Sequence, residues 1–274
     1  RYLYMSSYSR ITSEEWEAQG RAMGLDKPLI VQYLVWVKNA AQGDFGDSVH
    51  FRRNSLDLIL KFLPATLQLS GISFLCALLI GVPLGVLSAV KRTTGWDYLG
   101  RSFALLGQAA PPFWIALVFI WIFSVYLGWL PTSRKGDWTH YVMPVITLGW
   151  LPAAGLLRLT RSSMLEVLDS EYVKLARAKG VSTTTIIWKH AFRNSLIAPL
   201  TYAAVLLANF LTGTVVVETV FAWPGLGRLS VMAALNTDFP MITGLALVFS
   251  VIFLLCSLVA DILYALLDPR IRLG

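Results

Sequence analysis

Five stretches of the chain, residues 62–90, 102–133, 138–157, 194–217 and 239–260, contain no Asp, Glu, Lys or Arg. Each reaches or exceeds the roughly 20 apolar residues that cross a bilayer as an α-helix. A soluble core needs no such runs and could not keep them from water. Composition agrees, with 56% hydrophobic and 14% charged residues, against roughly 25% charged in an ordinary soluble domain. The expected fold class is an all-α polytopic membrane protein with five transmembrane helices in these 274 residues.

Two of the runs carry their own punctuation. The second is too long for one straight crossing and contains Pro111-Pro112. Proline lacks the backbone donor and clashes with the preceding turn, so the helix must kink or break there. In the first run, Gly81-Val-Pro-Leu-Gly85 combines a proline bend with a small-xxx-small face on which a neighbouring helix can pack closely.

The net charge of +7 does not point to nucleic acid, because the basic residues sit in the gaps between apolar runs. Twelve of them follow the first helix, the third helix and the fifth, whereas the opposite short loops hold only Arg134, Lys135 and Arg228. The positive-inside rule puts the first set in the cytoplasm. Residues 1–61 are then an extracytoplasmic segment, 62–267 the transmembrane domain and 268–274 a cytoplasmic tail. Within the outer segment, Thr12 and Glu15 have capping-box spacing and Gly24 is a natural stop. A second short helix is expected from Pro28 to near Gly43, with Leu29, Tyr33, Trp36 and Val37 on one face, lying against the membrane surface.

Charge and periodicity coexist in residues 158–193. Leu165, Leu168, Tyr172, Leu175 and Ala176 recur at helical intervals, and Ala176-Arg-Ala-Lys-Gly180 ends in a glycine able to turn the backbone. A second amphipathic piece begins near Ser182 and runs through Ile186, Ile187, His190 and Ala191. Helix, turn and helix between two membrane spans form a projecting knob that can enter a groove on a partner, or else a plain solvated loop.

Metal and redox chemistry find little support. Cys76 and Cys256 lie alone in apolar runs, and His50, His140 and His190 have no second ligand at useful spacing, so no metal site is expected. No GxxxxGK[ST] motif occurs, so the chain has no P-loop to cradle ATP phosphates. Two rival functions draw on single residues. Ser73 and His140 would serve an intramembrane serine protease, and Asp261 would be the proton site of an ion-coupled transporter.

The run Glu171-Tyr-Val-Lys-Leu-Ala-Arg-Ala-Lys-Gly180, continuing to His190-Ala-Phe-Arg-Asn194 and Pro199, resembles the "EAA" loop of binding-protein-dependent ABC importer permeases, in the form of the dipeptide, oligopeptide and nickel branch. Leu63-Pro-Ala-Thr66, Arg158-Leu-Thr-Arg-Ser162, Val217-Glu-Thr-Val-Phe221 and Trp223-Pro-Gly-Leu-Gly-Arg228 agree with it in order and spacing. The resemblance implies a type I importer permease fold in the bacterial inner membrane, with six helices per subunit and thus one upstream of Arg1. It implies no catalytic residues in this chain, with ATP and Mg bound by partner subunits. Those partners are a sister permease, in a heterodimer, two ABC ATPase subunits and an extracytoplasmic substrate-binding protein; no nucleic acid is expected. Peptides are the first substrate class implied, with glutathione or nickel as alternatives. By the same likeness Glu171, Ala176, Ala178, Gly180, Ser182, Ile186, His190, Arg193 and Asn194 belong to the ATPase-docking and coupling loop. Glu218, Trp223, Pro224 and Gly225 belong to an outer gate.

Overall fold

The computed structural model describes residues 26–212 and 214–267. The helix expected around Thr12, Glu15 and Gly24 and the tail 268–274 lie outside these residues. Among the described residues the structure is helical, with one isolated antiparallel bridge between Asp47 and Asn54.

Helix α1, Leu29–Ala41, starts directly after Pro28 and is followed by Gly43 at φ +82°. It buries none of its residues, and Leu29, Ile30, Tyr33 and Leu34 are more than half exposed. The long α2, Ser55–Val90, contains Pro64 and Pro83. Helix α3, Gly95–Ala109, and α4, Pro112–Phe119 with its π-helical continuation Ile120–Tyr126, are bent by 108° at the double proline. Helix α5 is Thr139–Leu168. Short helices follow: α6, Glu171–Ala178, and α7, which comprises Thr183–Thr185, the π-helical Ile186–Phe192 and Arg193–Ser195. The chain continues as α8, Ile197–Thr212, α9, Thr214–Val220, α10, Leu226–Leu235, and α11, Phe239–Leu267.

Helices α2, α5 and α11 are each long and apolar enough to cross a membrane, and α3 with α4 is a fourth candidate if the bent pair counts as one span. The remaining uncharged run is carried by α8 and α9. Both α2 and α5 extend past their uncharged runs. The first takes in Asp57 and Lys61, and the second Arg158, Arg161 and Glu166. Absence of charge marks the thickness of hydrocarbon, whereas a helix goes on wherever its backbone bonds continue into the polar region.

The chain divides into two compact units, Arg1–Lys61 with Ser230–Leu247, and Phe62–Leu229 with Val248–Gly274. In the smaller unit, buried Asp238 stands before α11 and accepts the Met241 amide at 3.4 Å, as an N-cap carboxylate does. The same carboxylate accepts the Ser48 hydroxyl and the amides of Val49 and His50, both at 3.2 Å. One side chain thereby fixes the loop before α2 to the start of α11.

In the larger unit, the small-xxx-small face of α2 packs on α5. A Cβ at Gly81 would lie 2.6 Å from the Ala153 carbonyl, and one at Gly85 2.6 Å from Thr160 Cβ. Gly85→Val is therefore expected to destabilise the protein by about 2 kcal/mol through overpacking, read as a lower thermal unfolding midpoint in detergent. Trp150 of α5 joins α3 and α4, donating Nε1 to the Phe103 carbonyl at 3.2 Å and stacking on Phe103 and Phe119. Leu69, Met143, Leu156, Val217 and Trp223 form the centre of this core.

Candidate functional site

The loop between α5 and α8 is a built structure. Helix α6 ends in a Schellman motif: the Val181 amide bonds to the Ala176 carbonyl at 3.1 Å and the Gly180 amide to the Arg177 carbonyl at 3.0 Å. Gly180 closes it at φ +76°, where only glycine is free of strain, and a Cβ there would meet nothing within 4 Å. Two residues on, Ser182 caps α7, its hydroxyl accepting from the Thr185 amide at 3.4 Å. Turn and cap follow each other without a spare residue, so the direction of α7 is set by α6.

The pair is anchored from beneath. Val173, Ile186 and Ala191 are buried. Ala191, with Ile187 and Phe192, packs on Met164, Leu165 and Leu168 of α5 and on Val86 and Ala89 of α2. The Asn194 amide donates to the His190 carbonyl at 2.7 Å and to the Tyr172 hydroxyl at 3.3 Å, tying α7 to α6. Glu171 pairs with Lys174 at the solvent side. Leu175, Ala178, Lys179, Gly180, Ser182, Thr183 and Thr184 are exposed, and so are Arg193 and Trp188. The periodic face read from the sequence is interrupted here. Asp169 and Ser170 break the helix, so the phase resets and Val173 goes inside while Leu175 stays 57% exposed.

A second constellation braces the base of this loop. Asp97, fully buried on α3, receives Arg161 of α5 through both Nε, at 2.8 Å, and Nη2, at 3.1 Å. It also accepts the Ser88 hydroxyl of α2 at 2.6 Å and the Thr93 amide at 3.1 Å, with Arg101 3.5 Å away. A bidentate guanidinium with the remaining carboxylate lone pairs satisfied is the arrangement that makes a buried ion pair tolerable. It joins three helices immediately before the loop leaves α5.

The third constellation surrounds Glu218, whose carboxylate is buried. The Thr66 hydroxyl donates to it at 2.7 Å and the Arg228 amide at 3.1 Å, with the Gly227 amide and the Thr214 hydroxyl also bonded to it. Thr66 in turn accepts the Leu226 amide at 2.7 Å. Trp223 is fully buried, donates Nε1 to the Ala65 carbonyl at 3.0 Å and meets the edge of Tyr141 at 4.7 Å. The Arg228 guanidinium is given to the Ala222 carbonyl at 2.8 Å. Gly225 is buried and Pro224 half-buried. Residues 221–228 are thus a rigid plug pinned to α2, with the tryptophan inside the core and not at an interface. Thr66→Val removes one donor to Glu218 and orphans the buried Leu226 amide. It is expected to cost about 2 kcal/mol, measured by thermal unfolding against Thr66→Ser.

The model of the family described as "Binding-protein-dependent transport system inner membrane component" matches residues 81–273. The chain is 43% identical over 251 residues to the glutathione transport system permease protein GsiC of Salmonella typhimurium, covering 91% of this chain and 82% of that one. The GsiC protein of Escherichia coli K12 is 42% identical over 250 residues, with the same coverage. The chain belongs to this family. It is the membrane permease of an ABC importer. Among solved structures, a chain of the inward-facing MetNI methionine ABC transporter superposes with a TM-score of 0.65 at 16% identity, over 77% of this permease and 96% of that chain. A chain of an amino acid ABC transporter solved with histidines gives 0.59 at 16% identity, over 76% and 93%. These two likenesses concern the fold.

Of the residues singled out in the permease sequence, Glu171, Ala176, Ala178, Gly180, Ser182, Ile186, His190, Arg193 and Asn194 share one loop, and Glu218, Trp223, Pro224 and Gly225 share one plug. Ile186 is interior and holds the loop together from within. Sequence reasoning missed Asp97 and Thr66. A lone Asp four residues before Arg101 was the available hint for the first; the second stood only as the end of the run Leu63-Pro-Ala-Thr66, with no role attached to it. The rival assignments fare differently. Ser73 is buried with its hydroxyl unpartnered among the described residues, while the His140 ring is bonded to Asp137 at 2.9 Å. Asp261 is exposed and makes no ion pair among the described residues. No group of three His, Cys, Asp or Glu that could hold a metal occurs among them either.

Proposed function

We propose that this permease carries glutathione and other short peptides inward, with residues 158–193 on the cytoplasmic side as the segment through which ATP hydrolysis on partner subunits drives it. The observation that carries the substrate is the 43% identity, over 91% of the chain, to permeases named for glutathione transport. The observation that supports the coupling role is the turn at Gly180. Its Schellman geometry and the Ser182 cap present a rigid, exposed corner on a buried apolar base. Such a corner transmits a push without deforming, as coupling between two bistable states requires.

In this reading the chain pairs with a sister permease as a heterodimer, two ABC ATPases bind ATP and Mg beneath the pair, and a binding protein delivers cargo from outside. The plug at 221–228 acts in the outer gate, held shut by Glu218 and Thr66. Helix α1, in the extracytoplasmic segment 1–61, lies on the membrane surface through its open apolar side chains.

The test is uptake by the complete complex in proteoliposomes with its binding protein. Radiolabelled glutathione is expected to accumulate with ATP inside and not with a non-hydrolysable analogue. Accumulation driven by a proton gradient without ATPase subunits would replace the reading with an ion-coupled one. Uptake of dipeptides with no response to glutathione would keep the importer and change the cargo.

A further inference from the structure

Helices α3 and α5 enclose an open groove of about 310 Å³ whose polar side is formed by Arg101, Arg158, Arg161 and Ser162, and whose apolar side includes Ala104 and Leu105. Its three arginines offer only donors, and the Gln108 side chain that also lines it is engaged by one of them. Arg158 spends one N–H on Gln108 Oε1 at 3.0 Å, and Arg161 spends two on Asp97. Arg101 lies 3.5 Å from the same carboxylate and over the Tyr98 ring at 4.7 Å. Among the described residues Asp97 is the single carboxylate these three guanidiniums meet, so two positive charges stand uncompensated. The Ser162 hydroxyl has no partner among the described residues. Beside the arginines, α3 leaves Leu99, Leu105 and Leu106 each more than 60% exposed.

We propose that this groove seats the phosphodiester of an anionic phospholipid, with the acyl chains lying along α3. Guanidinium forks match phosphate oxygens in shape and charge. Basic pockets between transmembrane helices are suited to anionic headgroups. A free phosphate would use the donors and leave the leucines bare; a lipid uses both, and in a membrane permease it is the surrounding solvent. The site lies apart from the loop turn and the plug, and it stands whether the cargo is glutathione or another peptide.

Native mass spectrometry of the complete transporter in detergent tests this, with phosphatidylglycerol, phosphatidylcholine and glycerol 3-phosphate as probes. The wild type is expected to hold phosphatidylglycerol at least about tenfold more tightly than phosphatidylcholine. Arg101→Gln with Arg158→Gln should lose one tightly held phosphatidylglycerol, and Arg101→Lys with Arg158→Lys should keep it. Arg161 is left intact because it holds Asp97. Unchanged occupancy in the glutamine pair, or no preference in the wild type, overturns the proposal. Displacement of the lipid by equimolar glycerol 3-phosphate reassigns the groove to free phosphate and overturns it as well. Should the glutamine pair fail to assemble, phosphatidylglycerol with a photoreactive headgroup decides on the wild type. Crosslinks to residues 98–108 and 158–162 support the site, and crosslinks only elsewhere reject it.

Discussion

Gly180→Val is expected to abolish coupled transport. The residue closes the Schellman turn at φ +76°, and a β-branched side chain pays about 1–2 kcal/mol to stay there. Space is not the difficulty, since a Cβ would meet nothing within 4 Å. The backbone relieves the strain by leaving the left-handed region, which breaks the Val181–Ala176 and Gly180–Arg177 bonds and rotates α7 away from α6. If the corner transmits the ATPase stroke, ATP-driven uptake falls by at least about tenfold, the equivalent of roughly 1.4 kcal/mol, while the protein still inserts. Gly180→Asn is the control, because asparagine tolerates the left-handed region; it should keep most of the uptake. Wild-type uptake by a correctly inserted Gly180→Val protein would remove the coupling role from this turn.

The second large effect is expected at Arg161. Replacing it with methionine keeps the length of the side chain and leaves Asp97 buried with only Ser88, Thr93 and the more distant Arg101 around it. Removing one partner of a buried pair costs about 3–5 kcal/mol, because the other charge is stranded. The thermal midpoint should fall far enough to lower the yield of assembled complex. Adding Asp97→Asn to Arg161→Met should restore part of that loss, since no stranded carboxylate remains. A double variant as damaged as the two singles summed would show that the two residues act independently.

Much of this molecule was readable in its sequence, for local reasons. The uncharged runs, the break at Pro111-Pro112, the close face at Gly81 and Gly85 and the turn at Gly180 each follow from the chemistry of neighbouring residues. What the sequence did not show is long-range or depends on phase. Asp97 and Arg161 are 64 positions apart, and Thr66 and Glu218 are 152 apart. No periodicity connects such pairs; only the crossing of helices does. Leu175 was misread as part of a continuous apolar face because two residues, Asp169 and Ser170, break the helix and restart its register with Val173 inside. The burial of Trp223, with its indole N–H on the Ala65 carbonyl, likewise depends on a partner distant in the chain.

In the proposed coupling, the corner at residues 178–184 meets an ATPase subunit. Thr184 is exposed on it, so a cysteine there, with Cys76 and Cys256 replaced by serine, can report contact directly. In membranes containing the whole transporter, Thr184→Cys should crosslink to a subunit bearing a P-loop, with a yield that changes when ATP is bound. Absence of any such crosslink, in complexes that still import cargo, would rule out this corner as the contact with the ATPase.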